Sequence, residues 1–351
     1  MNNRIYIQGM GMVSPQKSWE ELGAAYESSY LPCLEPAYSE WLEPQQMRRM
    51  SRIMKMGVTS AKMALKDASL ERPDAIITGT GYGCLEDTAT FLTKITTHKE
   101  EALNPTPFMQ STHNTIGSQI ALILQCRGYN QTYTHQAFSF EHALQDALML
   151  LAENPEQTIL VGGVDEFTEV SHTIQSRFGK YRKDPVNNLS LLSTPSKGTL
   201  AGEGAACFIL SGKQPSGAAV AVQGVQTFYR AEEWVSGIEA FLRQHELTPD
   251  DVDMLLAGTS GDAAVDHRFD PIISSLFKKT SVGVFKHLCG EYCVASSFAL
   301  WLGAMILIKG EVPPVVLQRD MKRAVRSLLI SNAYFQDHHT LILLKACHDT
   351  K

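Results

Sequence analysis

The sequence predicts an α/β protein made of two similar halves, with mixed or mostly parallel sheets packed around buried helices. Three observations carry this. Short apolar strand-like runs alternate with helix-like segments along the chain, the pattern of layered α/β folds. The stretch Ala219-Val220-Ala221-Val222-Gln223-Gly224-Val225 echoes Ile5-Tyr6-Ile7-Gln8-Gly9-Met10, and Asp253 to Thr259 echoes Asp74 to Thr80, so one strand–helix order is used twice. Val294 to Ile308 is apolar almost all round, which places that helix between two sheets.

In chain order, Ile5–Met10 alternates as a strand, and Gly9, Gly11, Ser14 and Pro15 break it into a turn. Ser18–Glu27 reads as a short helix, and Leu31 to Gln46 as an irregular surface excursion. Met47 opens a long helix to about Asp67, its Met and Ile positions on one face. Ala75–Thr80 is a strand entering Gly79-Thr80-Gly81-Tyr82-Gly83, where glycine permits a sharp reversal. No Lys-Ser/Thr follows, as a phosphate loop requires. Pro105-Thr106-Pro107-Phe108 is a rigid turn and Asn114 to Leu124 a helix. Tyr133 to Leu151 is a strand running through a tight elbow into a buried helix. Ala143, Leu144, Ala147, Leu148 and Leu151 form its inward face, and Ser139 is placed to cap it. Ile159–Gly162 is a strand ending in Gly162-Gly163-Val164-Asp165-Glu166, and Gly202 to Ala206 turns into the strand Cys207–Leu210. A second half begins near Gly217, dividing the chain into residues 1–215 and 216–351. There Glu291 to Leu307 repeats the elbow-and-helix plan, and Thr340 to Leu344 echoes Thr158 to Val161.

Composition narrows the function classes. The 351 residues are 44% hydrophobic and carry a net charge of −6 without a basic run, which argues against a nucleic-acid surface. Seven cysteines at irregular spacing fit buried reduced thiols of a cytoplasmic protein rather than a disulfide framework. Cys289 and Cys293 are four apart with no second pair at zinc spacing, so no metal site is expected. His338 and His339 are strand neighbours on opposite faces. The first residues lack an apolar core of signal-peptide length. Val294 to Ile308 is shorter than the roughly 20 residues a membrane span needs and carries Ser296 and Ser297.

The elbow is where chemistry is expected, because a side chain there feels the positive end of a helix and a thiol would ionise readily. The chain places Gln136, Ala137 and Phe138 there. Other motifs occur in a recognisable order: Arg48-Arg49-Met50-Ser51-Arg52 with Lys55-Met56, Gly79-Thr80-Gly81-Tyr82-Gly83, Asn114 with Gly117, Ile120 and Ala121, Val161 to Glu166, and Gly202-Glu203-Gly204-Ala205. Together they resemble the β-ketoacyl-(acyl carrier protein) synthase family over most of the chain. The resemblance implies a duplicated thiolase-like α/β fold, layered α-β-α-β-α with two mixed sheets around buried helices. It implies no cofactor. Family members perform decarboxylative Claisen condensation with a Cys at the first elbow, two His from the second half, and a Lys before the second His. Carried over by position, the Cys falls on Ala137, the first His on Ala257, the Lys on Lys286 and the second His on Glu291. The glycine-rich Phe loop expected after Asn332-Ala333 reads Tyr334-Phe335-Gln336-Asp337-His338.

The resemblance therefore implies a non-condensing homologue. A methyl group cannot be acylated, and an ionised Glu291 would repel a developing oxyanion, where losing one donor alone costs about 2.7–4 kcal/mol of barrier. Chain-length-factor proteins of the family lack the Cys and pair with an active ketosynthase; their usual replacement is Gln, and here Gln136 lies one residue earlier. Ala137-Phe138-Ser139-Phe140-Glu141 is also similar to ketosynthase-like proteins of aryl-polyene and flexirubin pigment clusters. The expected partners are a ketosynthase homologue or a second copy, through the N-terminal half, and an acyl carrier protein. Other readings stay open. Ser139 is an alternative nucleophile, with His142 or His135 as base, or only a helix cap. The chain would then be a divergent acyltransferase or thioesterase, with a water held by Glu291 as another attacking group. A non-catalytic acyl-binding homodimer is the third reading. Lys286 and Glu291 form an acid–base pair or a structural ion pair. Arg48, Arg49 and Arg52 meet a carrier protein or make a solvated face. Phe138 and Phe140 fill the acyl channel or pack in the core.

Overall fold

The computed structural model describes residues 4–101, 103–230 and 234–347; Met1 to Asn3 lie outside them. Strands β1 (Ile5–Val13), β2 (Ala75–Gly79), β3 (Asn130–Tyr133), β4 (Thr158–Asp165) and β5 (Gly204–Ser211) come from the first half. Strands β6 (Ala219–Tyr229), β7 (Met254–Ala257), β8 (Ser281–Val284), β9 (Leu317–Arg319), β10 (Ser327–Tyr334) and β11 (His338–Cys347) come from the second. The main helices are α1 (Arg52–Asp67), α2 (Leu85–His98), α3 (Thr115–Leu124), α4 (Ser139–Glu153), α5 (Glu169–Arg177), α6 (Trp234–Gln244) and α7 (Ala295–Lys309).

Each half repeats one topology. Across β1-β5-β4-β2-β3 the pairings run antiparallel, antiparallel, parallel, parallel. Across β6-β11-β10-β7-β8 they run the same way, and β9 adds an antiparallel edge. The two sheets expected from the sequence are joined where Ile5, Tyr6 and Ile7 pair antiparallel with Val222, Ala221 and Val220. Even the irregularities repeat. β1 slips against β5 between Ile7 and Gly9, and β6 slips against β11 between Val222 and Gly224. These are the two Gln-Gly pairs of the sequence echo. A Cβ on Gly9 would collide with the backbone at Ala64 and Ala68, and one on Gly224 with the His245 ring. Glycine at each bulge thus lets the chain at the end of an outer helix lie directly on the strand.

The layers follow from side-chain alternation. Ile159, Val161, Phe208 and Leu210 face a central cluster with Phe140, Leu144, Phe298 and Leu302. Their neighbours Leu160 and Ile209 face outward onto Ile53, Met54 and Met56 of α1. In the second half Leu255, Val282 and Leu329 face Ile238 and Phe241 of α6. Helices α4 and α7 therefore lie between the sheets, as the all-apolar run predicts, giving five layers α-β-α-β-α.

Several expectations are corrected. Ser18–Glu27 is not a helix: the Gln16 side chain accepts from the Gly23 and Ala24 amides at 2.8 and 3.1 Å, and Glu27–Ser28 pairs with Val186–Asn187. The helix expected from Met47 begins at Arg52, because Pro44–Met47 forms a separate turn closed by Glu43 and Gln46. Pro105–Gln110 is a short helix, its proline at the first position and the Asn104 side chain accepting from the Thr106 amide. Helices α2, α5 and α6 and strands β8, β9 and β10 are additions. None of the α2 residues is fully buried, so its apolar pattern is weak.

Gly9→Ala is expected to lower stability by about 1–3 kcal/mol through overpacking against α1. Urea unfolding checks it, and an unchanged midpoint would contradict the packing described.

Candidate functional site

The chain leaves β3 at Tyr133 and enters α4 through a turn at Gln136–Phe138. Gln136 has φ of 48°, the left-handed conformation that non-glycine residues rarely adopt. The turn is held by Ser139, whose Oγ accepts from the His135 amide at 2.8 Å and donates to the Gln136 carbonyl at 2.7 Å. Ser139 is thus the first helical residue and locks the elbow, instead of capping α4 as expected. Its side chain is fully buried. His142 and His135 meet each other, Nδ1 to Nδ1 at 3.4 Å.

Ala137 is buried against Cys293 and Tyr334, with Tyr82 and Phe335 at the margin. Behind it lies the Lys286–Glu291 pair, both side chains fully buried. Lys286 Nζ donates to Glu291 Oε2 and to the Ala333 carbonyl, each at 2.5 Å. Ala333 precedes Tyr334, so the pair is one residue from the Ala137 cluster. Glu291 also bridges the halves, its amide donating to the Leu200 carbonyl and its carbonyl accepting from the Gly202 amide. Burial pushes its carboxyl up to about 7, against the pull of the Lys286 ammonium. Ala257, where the resemblance puts the first His, ends β7 and is buried in the outer core of the second half. The structure therefore pairs Lys286 with Glu291 against the strand that carries Tyr334 of the Ala137 cluster, and places Ala257 in the outer core.

The remaining candidates separate. Phe140 is fully buried in the central core, 5.9 Å between ring centroids from Phe208. Phe138 packs on His135, His142 and His338. His339, on the opposite face of β11, packs on Trp234. Arg52 grips the buried Glu203 with both guanidinium nitrogens at 2.6 Å and touches Glu35, while Arg48 and Arg49 are exposed. A second basic region lies elsewhere: Arg177, Arg182, Lys183 and Lys197 line a groove of about 800 Å³.

A cavity of about 210 Å³ opens beside the cluster, walled by Tyr82, Asp165, Tyr181, Tyr292 and Cys293, with Ile174 at its exposed rim. Neither Phe138 nor Phe140 lines it. Asp165 Oδ1 accepts from Thr80 Oγ1 and the Gly81 amide, both at 2.8 Å. Burial pushes this carboxyl up to about 6, with Thr80 opposing. Burial, then the Asp165 charge, holds the Cys293 thiol well above its ordinary range. Sequence reasoning weighed Cys293 only as half of a metal pair. The internal repeat was the signal that finds it: α4 begins at Ser139 and α7 at Ala295, so Ala137 and Cys293 each stand two residues before a buried helix. Among the described residues no group of three or more His, Cys, Asp or Glu is placed to hold a metal, and no helix is long and apolar enough to cross a membrane.

With this architecture in view, the family model for the beta-ketoacyl synthase N-terminal domain matches residues 33–216, more than half of the chain. The chain belongs to the beta-ketoacyl synthase family. Among solved structures it is similar to the ishigamide ketosynthase/chain length factor, with TM-score 0.80, 18% identity, and 98% of this chain and 99% of that chain covered. It is similar to a beta-ketoacyl synthase from Burkholderia phymatum STM815, at 0.75 and 16%, covering 98% and 100%. It is also similar to the ketosynthase ApeO in complex with its chain length factor ApeC from Xenorhabdus doucetiae, at 0.78 and 15%, covering 98% of each chain. These likenesses carry the thiolase-like fold. A comparison with curated proteins gave no match.

Lys286→Met is expected to cost about 3–5 kcal/mol by stranding a buried carboxylate, whereas Lys286→Met with Glu291→Met should cost far less. Chemical denaturation of both variants decides; equal losses would show that the pair is not coupled. Glu141, fully buried in α4 and accepting from Thr340 Oγ1 at 3.0 Å, has its carboxyl pushed up to about 7 by burial. The folded chain keeps this proton while the unfolded chain releases it from about pH 4.5 upward. Its contribution to stability therefore falls by about 3 kcal/mol between pH 4.5 and 7 and levels off above. Glu141→Gln should match the natural chain near pH 4.5 and exceed it at pH 8, read from unfolding midpoints.

Proposed function

We propose that this chain is a non-condensing, chain-length-factor-like subunit. It pairs with an active ketosynthase in type II fatty-acid or polyketide biosynthesis, aryl-polyene synthesis included. The observation that carries the reading is the elbow itself: Ala137 presents a methyl group where the family places its nucleophile, and the adjoining acid, Glu291, is tied to Lys286 at 2.5 Å. Condensation needs an acylatable thiol and donors for a developing oxyanion. A carboxylate neutralised by an ammonium supplies neither. Ser139, with both lone-pair and proton engaged across the elbow, is committed to structure.

The surface supports a partner. β3 is an end strand of the sheet, and an unpaired edge is normally covered. Leu122, Tyr129 and Met149, on elements flanking it, are exposed. A ketosynthase would supply the covering edge; among the similar solved structures, the ketosynthase ApeO is in complex with its chain length factor ApeC. The groove with Arg177, Lys183 and Lys197 suits the acidic face of an acyl carrier protein.

Co-expression with a ketosynthase encoded nearby should yield a stable one-to-one complex by light scattering, with malonyl-dependent chain extension only in the complex. A chain that remains a lone monomer with every ketosynthase tried, or that extends acyl thioesters unaided, would refute the proposal.

A further inference from the structure

Cys293 has no role in the reading above, yet it occupies the position that repeats the elbow. It stands two residues before α7 as Ala137 stands two before α4, and the two touch. The first turns of both helices converge, since a Cβ on Gly163 would meet Ser297 at 2.8 Å and Phe140 at 3.0 Å. Cys293 differs from the six other free cysteines in lining the 210 Å³ cavity. It also has a polar neighbour with unused capacity. Asp165 is 4% exposed and lines the same cavity, and its Oδ2 has no hydrogen-bond partner. The Val294 amide is near enough to draw the carboxyl's pKa down but is not in hydrogen-bond geometry. A methyl on Gly81 would lie 2.5 Å from Cys293 Sγ and 3.3 Å from Asp165 Oδ2, so thiol and carboxylate flank one glycine. Tyr82 and Tyr334 pack beside the thiol.

We propose that Cys293 is an acyl-acceptor site: the thiol takes a short apolar acyl group from a thioester donor, with Asp165 as its base and the cavity holding the acyl chain. In the step, the Sγ–H proton passes to the Asp165 carboxylate as Sγ bonds to the acyl carbonyl carbon. The donor's carbon–sulfur bond breaks, and the donor leaves as a thiol after taking the proton from Asp165. Nothing is oxidised or reduced, and reversal returns the acyl group. Burial keeps the free thiol neutral, so the base is required rather than incidental. The site stores an acyl group without condensing it, because the chain carries Ala257 and Glu291 at the positions where the resemblance puts the two decarboxylating imidazoles. The inference rests on the subunit reading only for the class of donor.

The full chain is incubated with butanoyl-N-acetylcysteamine, and adducts are mapped by peptide mass spectrometry. The expected result is a hydroxylamine-labile butanoyl group on Cys293 before any other cysteine. Asp165→Asn should slow it by about 10²-fold or more, the usual weight of a positioned base. Ile174→Trp, at the cavity rim, should slow it without touching either group. Cys293→Ser, at an unchanged melting temperature, should carry no hydroxylamine-labile adduct at position 293. Labelling of the partly exposed Cys126 but not of Cys293, no labelling at all in the natural chain, or a rate indifferent to Asp165→Asn would each overturn the proposal. The assay uses the chain alone, so its failure leaves complex formation with a ketosynthase to be judged separately.

Discussion

The structure depends on two helices packed start to start between two sheets. Helices α4 and α7 can meet because Gly163 has no side chain between Ser297 and Phe140; α7 is buried over nearly its whole length and α4 along its inward face. Such burial is favourable only where each backbone polar group finds a partner. Helices satisfy that internally except at their first turns. The unsatisfied N-terminal groups of both halves are thereby concentrated in one place, next to Ala137 and Cys293. The duplicated topology places both helix starts within the apolar core, and the chemistry there depends on what stands at the two elbows.

That spot is built here for restraint. Lys286 and Glu291 are buried together, and their separation of 2.5 Å lets each offset part of the other's desolvation. The same pair holds the Ala333 carbonyl and, through Glu291's backbone, the strand entering Gly202. It therefore braces the second half against the first. A group with this structural duty is poorly suited to change protonation during a reaction. Glu203 plays a comparable part on the other side, gathering Arg52 and the Cys33 and Phe167 amides around one buried carboxylate.

How much was legible in the chain depended on range. The central strands, the elbow and α7 were readable because apolar periodicity and the Gln-Gly and Thr-Gly-Thr or Ala-Gly-Thr echoes are local signals repeated twice. The Lys286–Glu291 pairing was also readable, being five residues apart with no other acid so near Lys286 in sequence. Segments whose conformation is set by distant side chains were misread. Gln16 holds Gly23 and Ala24 out of a helix, and Ser139 spends its hydroxyl on the preceding turn. Arg52, grouped with Arg48 and Arg49 as a possible contact face, is claimed by Glu203, 151 residues later.

By itself the sequence determined the α/β class, the repeated strand–helix order, and the identities Ala137, Ala257 and Glu291 at the positions where the resemblance puts thiol and imidazoles, because residue identity and periodicity are one-dimensional facts. The tertiary structure alone decided that Ala257 turns into the outer core, that Phe140 belongs to the centre, and that Cys293, packed with Ala137, shares a cavity with Asp165. Those outcomes depend on how two sheets and two helix starts meet in space. That meeting is fixed by packing between residues more than a hundred positions apart, which no local pattern encodes.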